Sequence, residues 1–257
     1  MFKIFEGIFL KLFPKFYLGL TRPQDSNDRF LFGSNFIKKY KKKDNITILD
    51  VGCGGGNFFA YVNSISKNIN YLGLDFDHEK MKKNKFDNKN FRIISQDLRE
   101  NWFFGEHDFV WSSEVIEHLF DDENYFKKLV KSTKKGGYIL LTTPFINSYL
   151  NFAKKYGWST EPSKEEITGH VKLGYEENDL KKLAKMNNIK LENIYFITEC
   201  NNFRAKNIFN MNAGLFCYFF NILYFLRFLR YKRYNSNDAS INKLNYFSIA
   251  AIYKKES

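Results

Sequence analysis

A chain of 257 residues can bury a sizeable core and suits one large domain, or a domain with an elaboration. Its 44% hydrophobic and 26% charged residues exclude wholesale disorder. A net charge of +12 admits nucleic acid or an anionic membrane as partner, yet the lysines recur in short clusters (Lys38 to Lys43, Lys82 to Lys85, Lys181 to Lys185) without a single stripe, so a solvated basic surface explains them as well.

At the N-terminus, Phe2, Phe5, Phe9, Leu12 and Phe16 repeat with helical spacing, while Lys3, Glu6, Lys11 and Lys15 interrupt any continuous apolar run. This is not the pattern of a cleavable signal. A basic amphipathic helix of this kind lies on a bilayer surface or packs its Phe face on its own domain, and both readings stay open. From residue 46 to about 196 strand-like and helical periods alternate, as in a parallel sheet covered by helices. The periodicity predicts strands near 46–51, 69–75, 91–95, 108–112, 137–143, 190–197 and 245–253. Helices are predicted near 55–66, 78–85, 121–134 and 177–187, the third opening on Asp121-Asp122-Glu123 and stopping at Lys134-Lys135-Gly136-Gly137.

Two long connections, 144–175 and 198–244, do not fit a minimal repeat. The second contains Ile208 to Leu226, which is without charge and is followed by Arg227, Arg230, Lys232 and Arg233. Its length approaches a membrane span. Because it lies between two strands of one sheet, a helix covering the site or dipping into a membrane face is the better expectation. The resulting organisation is an N-terminal amphipathic helix and lead-in over 1–45, a main domain over 46–197 and 245–257, and a hydrophobic, basic insertion over 198–244. Cys53, Cys200 and Cys217 are far apart and lack metal-ligand spacing, which points to a reducing, cytoplasmic compartment without structural disulfides.

The most informative run is Ile48-Leu49-Asp50-Val51-Gly52-Cys53-Gly54-Gly55-Gly56. An apolar strand ends in an acid, and positions 52, 54 and 56 are glycine, so the backbone can turn sharply against a ligand. The neighbouring carboxylate favours a ligand with positive charge or hydroxyls. About 20 residues on, the second strand ends in Asp75, placed to accept hydrogen bonds from both hydroxyls of a ribose. The third strand ends in Asp97-Leu98, where an acid can accept from an adenine amino group with Leu98 against the ring. The fourth continues through Ser112-Ser113-Glu114-Val115-Ile116-Glu117-His118-Leu119, and the fifth reads Gly136-Gly137-Tyr138-Ile139-Leu140-Leu141-Thr142-Thr143-Pro144.

This set resembles the class I S-adenosylmethionine-dependent methyltransferases, in particular the small-molecule, sugar or quinone O-methyltransferase-like branch. The resemblance implies an α/β, Rossmann-like, mostly parallel seven-stranded sheet with helices on both faces, its last strand antiparallel between the fifth and sixth. Tyr246 to Tyr253 suits that strand. It further implies that Gly52, Gly54 and Gly56 pass beneath the methionine part of the cofactor with Asp50 near its amino group. Asp75 would hold the ribose, Asp97 and Leu98 the adenine, and Phe76, Ser113 and Glu114 would complete the cofactor side. His118 and His170, the latter in Gly169-His170-Val171, stand as base or acceptor contacts or as structural residues. No metal is expected. If 114–118 were helical, however, Glu114, Glu117 and His118 would share a face and could hold a divalent ion, as in some quinone-biosynthesis O-methyltransferases.

The fourth strand is not followed by an Asn/Asp-Pro-Pro-aromatic turn, which disfavours nucleobase N-methylation, and no RNA-binding domain or zinc knuckle is visible. The partner is therefore expected to be a small-molecule or lipid-linked acceptor, with no specific nucleic acid. Peripheral membrane contact through 1–20 and 208–233 is expected with it, at the inner face of the cytoplasmic membrane, and the oligomeric state stays open. The first expectation is O-methylation of a sugar or surface-glycan precursor in polysaccharide biosynthesis. The alternatives are a quinone-ring O-methyltransferase and a non-catalytic cofactor-binding or RNA-binding protein of the same fold.

Overall fold

Apolar residues at both odd and even positions of a strand demand cover on both faces of the sheet. Ile46, Ile48, Leu49 and Val51 of β1 (Asn45–Val51) are all buried in this way, and β1 lies in the sheet's interior. The computed structural model describes residues 24–41, 45–63, 65–66, 68–76, 88–166, 169–199, 234–235, 237–238 and 240–256. Around β1 are β2 (Asn68–Asp75), β3 (Phe91–Ser95), β4 (His107–Ser113), β5 (Thr133–Pro144), β6 (Lys190–Glu199), the two-residue β7 (Tyr234–Asn235) and β8 (Tyr246–Lys254).

Their order is β3-β2-β1-β4-β5-β8-β6-β7. The first five pair in parallel, and β8 runs antiparallel between β5 and β6, as expected of the last strand. The chain therefore builds outward from β1 in one direction and returns to build outward from β4 in the other. In open sheets of this kind the ligand crevice lies where that order reverses, here at the carboxyl ends of β1 and β4.

On one face Leu49, Val110, Ile139 and Leu141 pack with α3 (Asp122–Lys131) and α5 (Glu177–Met186) through Tyr125, Phe126, Leu129, Leu180 and Leu183. On the other, Ile46, Ile48, Trp111 and Leu140 meet α1 (Gln24–Tyr40) and α2 (Phe58–Val62). Phe32, Phe36 and Ile37 of α1 belong to that core, so this part of the 1–45 segment is structural. Its close approach depends on Gly33, where a Cβ would lie 2.8 Å from Trp111 and 2.9 Å from Phe58. The tightness is set by the Phe58–Trp111 stack at 4.6 Å.

The predicted 121–134 helix ends sooner, at Lys131. His107 N–H donates to the Ser132 carbonyl at 2.9 Å and pulls the chain into β5. Gly136, expected as a helix stop, lies inside β5 at φ 76°, where the β4–β5 register shifts. The predicted 55–66 helix is shortened to Phe58–Val62. The 144–175 connection contains α4 (Ile146–Tyr156), closed by Gly157 at φ 69°. The expected helix at 78–85, the N-terminal helix, and the 208–226 segment with its basic tail lie outside the described residues. Among the described residues no helix is long and apolar enough to cross a membrane.

Candidate active site

The turn after β1 forms one wall of the crevice. Gly52, Gly54 and Gly56 all adopt positive φ (79°, 54° and 71°), so the alternate glycines answer a backbone demand. Space at two of them is taken by the protein itself. A Cβ on Gly52 would meet Val115 at 2.2 Å, and one on Gly56 would meet Phe91 at 2.7 Å. Both Gly52 and Cys53 donate to the Leu74 carbonyl, at 2.8 and 3.0 Å, which pins the turn to β2.

Asp50 is 2% exposed and accepts a hydrogen bond from the Tyr71 hydroxyl. Burial pushes its carboxyl up to about 7, with the Tyr71 bond pulling down and Asp75 pushing further up. Burial and the same two acids push the free Cys53 thiol far up, so it is inert as a nucleophile. Asp75 ends β2 facing the glycine turn, and one of its oxygens accepts from Gly54 N–H at 2.7 Å. Phe76 follows it, 46% exposed. Past β3, Asp97 is gripped by Arg99 through Nε at 2.9 Å, and that partner holds its carboxyl below the usual range. Leu98 is buried, its carbonyl accepting from Lys128 at 2.7 Å.

The β4 end contributes a second polar chain. Ser113 and Thr142 hydroxyls lie 2.9 Å apart, and Thr142 reaches Glu114 at 3.1 Å. Glu114 sits at φ 56°, a left-handed conformation that costs a non-glycine residue about 1–2 kcal/mol. It is held there by its N–H to the Thr142 carbonyl (2.9 Å) and by Arg29 of α1 at 3.7 Å. Backbone strain of this kind clusters at functional sites.

Only Ile116–His118 then coil, as one 3₁₀ turn. The expected common face of Glu114, Glu117 and His118 therefore does not form, because Glu114 precedes the turn and points toward Arg29. Glu117, His118 and His170 converge instead, with a ligand atom from each inside a 4.8 Å cluster. Glu117 is fully buried. Thr143 donates to its Oε2 at 3.1 Å, while Oε1 has no hydrogen-bond partner. Burial, then Glu114, holds this carboxyl well above the usual range.

His118 Nδ1 lies 2.8 Å from the Gly169 carbonyl. A carbonyl only accepts, so Nδ1 is the donor in this bond. The His170 ring stands edge-on to His118 at 4.7 Å, with Nδ1 buried and unpartnered. Burial, then His118, lowers its pKa to about 4. At neutral pH it is the uncharged imidazole that a cation or a proton requires. Half-buried Tyr149 lies 5.7 Å from His170, with Trp158 beyond it at 6.2 Å.

A family model described as a methyltransferase domain matches residues 27–194, from α1 into β6. The chain belongs to the S-adenosylmethionine-dependent methyltransferases. Its sequence is 29% identical over 114 residues to a ubiquinone biosynthesis O-methyltransferase of Hydrogenovibrio crunogenus, covering 42% of this chain and 46% of that protein. With the enzyme of that name from Pelagibacter ubique it shares 24% identity over 225 residues, 83% of this chain and 81% of the other. A crystallised S-adenosylmethionine-dependent methyltransferase of Clostridium acetobutylicum has the same fold at 14% identity and a TM-score of 0.55, over 100% of this chain and 99% of that one. The chain spans about half the length, or less, of most curated relatives it matches.

In this methyltransferase, four residues at the crevice carry roles that their place in the sequence does not signal. Arg29 comes from a segment assigned as lead-in; a lone cation within an aromatic helical stripe was the available signal. Thr142 and Thr143 look like ordinary strand residues, and only the fold turns their hydroxyls to Glu114 and Glu117. Tyr71 reads as an apolar strand position, and its hydroxyl finds Asp50 only when β1 and β2 pair.

Proposed function

We propose that this chain transfers the sulfonium methyl of S-adenosylmethionine to a hydroxyl of a small-molecule acceptor bound beside His118 and His170. The observation that carries this reading is the meeting of two imidazoles and a buried carboxyl next to the glycine turn. On the donor side, Gly52, Gly54 and Gly56 underlie the methionine part, with Asp50 toward its ammonium group. Asp75 exchanges its bond to Gly54 for the ribose hydroxyls. Asp97 and Leu98 face the adenine, and Ser113 and Glu114 close the wall. Methyl transfer in line needs chiefly the alignment of donor and nucleophile. His118 Nε2, or the neutral His170, is placed to accept the hydroxyl proton as the oxygen attacks.

A phenolic or quinol hydroxyl fits better than a sugar. Tyr149 and Trp158 offer flat aromatic surface beside His170, and two curated relatives act in ubiquinone biosynthesis by name. The sugar or surface-glycan acceptor has no such support, and neither does membrane contact.

Glu117, His118 and His170 also fit a divalent cation, since ionised Glu117 Oε1 and His170 Nδ1 would gain the partner they lack. Such an ion would lower the pKa of an acceptor hydroxyl. The test is methyl transfer from labelled S-adenosylmethionine to a panel of catechols, quinols and sugar nucleotides, with and without chelator. We expect transfer to the phenolic members. Transfer to amines alone, or to no hydroxyl, would sink the reading.

A further inference from the structure

We propose that Tyr71 is a positioning residue for cofactor binding, its hydroxyl orienting the Asp50 carboxylate toward the cofactor's ammonium group. The inference rests on the placement of Asp50 proposed above.

The strand register explains why Tyr71 can do this. In the parallel β1–β2 ladder Ile48 faces Tyr71 and Asp50 faces Gly73. Side chains two apart share a face, so Tyr71 and Gly73 lie in the lane beside Asp50. Gly73 leaves that lane bare, and a Cβ there would lie 2.6 Å from Cys53 Sγ. The long Tyr71 side chain therefore leans past Gly73 to reach Asp50. Its ring is fixed by a stack on Phe91 at 5.4 Å and an edge contact with Phe59 at 5.4 Å. Tyr71 and Asp50 are each 2% exposed, so each is the other's shelter from an unmet hydrogen bond.

Among the described residues, the titratable groups that act on Asp50 are Tyr71 and Asp75 from β2 and Cys53 from the turn, with Tyr125 of α3 on the other face of the sheet. Burial pushes Asp50 up to about 7, the Tyr71 bond opposes this, and Asp75 adds to the push. A protonated Asp50 does not attract an ammonium group, so cofactor affinity falls as pH drops through that value. A tyrosine that merely fills space would leave that dependence unchanged.

Calorimetric titration of S-adenosylmethionine into the full chain, from about pH 5 to about pH 8.5, tests the role. Wild type should lose affinity toward acid with a midpoint near the Asp50 value of about 7. Tyr71→Phe keeps the ring packing, and its midpoint should move up by about one pH unit, weakening acid-side binding about tenfold while leaving the alkaline end within about twofold. Asp50→Asn should lack the acid limb. A Tyr71→Phe profile with the wild-type midpoint, or weakened equally at every pH, overturns the proposal. If circular dichroism shows that Tyr71→Phe does not fold, Asp50→Asn decides, because an acid limb that survives in it also overturns the proposal. Absence of wild-type binding at every pH would instead overturn the cofactor placement, and this inference with it.

Discussion

The proposed donor wall and the proposed acceptor corner of the crevice are built on different principles. The donor wall takes Asp50 and the glycine turn, Asp75 and Asp97 from the ends of three neighbouring parallel strands. Each of these residues sits where its own strand stops, so strand pairing alone brings them together. The acceptor corner joins Glu117 and His118 to His170, with His118 held by the Gly169 carbonyl 51 positions away. That meeting depends on two backbone bonds, from Ser163 N–H to the His170 carbonyl at 2.7 Å and from Lys172 N–H to the Glu117 carbonyl at 3.1 Å. The difference teaches that the strand-end acids are placed by the sheet, whereas the meeting of Glu117, His118 and His170 depends on contacts between segments distant in sequence.

The contrast can be broken most severely at Gly52. Gly52→Ala forces a positive φ on alanine and drives a methyl into Val115, which together should cost about 3 kcal/mol or more. Chemical denaturation should show the loss directly, and a variant as stable as wild type would mean that the turn is softer than its geometry.

The acceptor corner is next. His170→Ala should lower the methylation rate about a hundredfold or more, the scale of a lost proton acceptor or ligand. Cofactor affinity should stay within about twofold by the same calorimetry. A matching fall in cofactor affinity would show that the two halves are not separable.

The smallest expected effect sharpens the donor wall. Asp75→Ala should weaken cofactor binding about tenfold or somewhat more, since charge-assisted hydrogen bonds contribute about 1.5–3 kcal/mol. The fold should survive, because the lost Gly54 N–H bond is only partly buried. Unchanged affinity would mean that Asp75 serves the apo turn rather than the ribose.

Most of the sheet was legible before any coordinates. The strands predicted at 46–51, 69–75 and 91–95 lie within one residue of those observed, because short apolar runs bounded by polar residues have few other uses in an α/β chain. Helix ends were less legible: the 121–134 helix stops at Lys131 because Ser132 is claimed by His107 across the sheet, a contact that no local pattern encodes. The positions of Asp50 and Asp75 at strand ends, and of Asp97 just past one, were legible as well. The Glu114-Glu117-His118 face, conditional on a helix over 114–118, does not form for a related reason. Helical spacing assumes a regular helix, and the segment breaks it with one left-handed residue and one 3₁₀ turn.

By itself, the sequence determined the parallel sheet, the positive-φ glycine turn and the acids that border it, because these depend on local spacing and on rules of strand pairing. Only the tertiary structure decided that Val115, Phe91 and Ile93 press on the glycines at 52 and 56. It likewise decided that His170 replaces Glu114 beside Glu117 and His118, and that Tyr71 serves Asp50. Each of these follows from side chains distant in sequence meeting in a dry interior, where an orphaned polar group is costly and close packing leaves few alternatives.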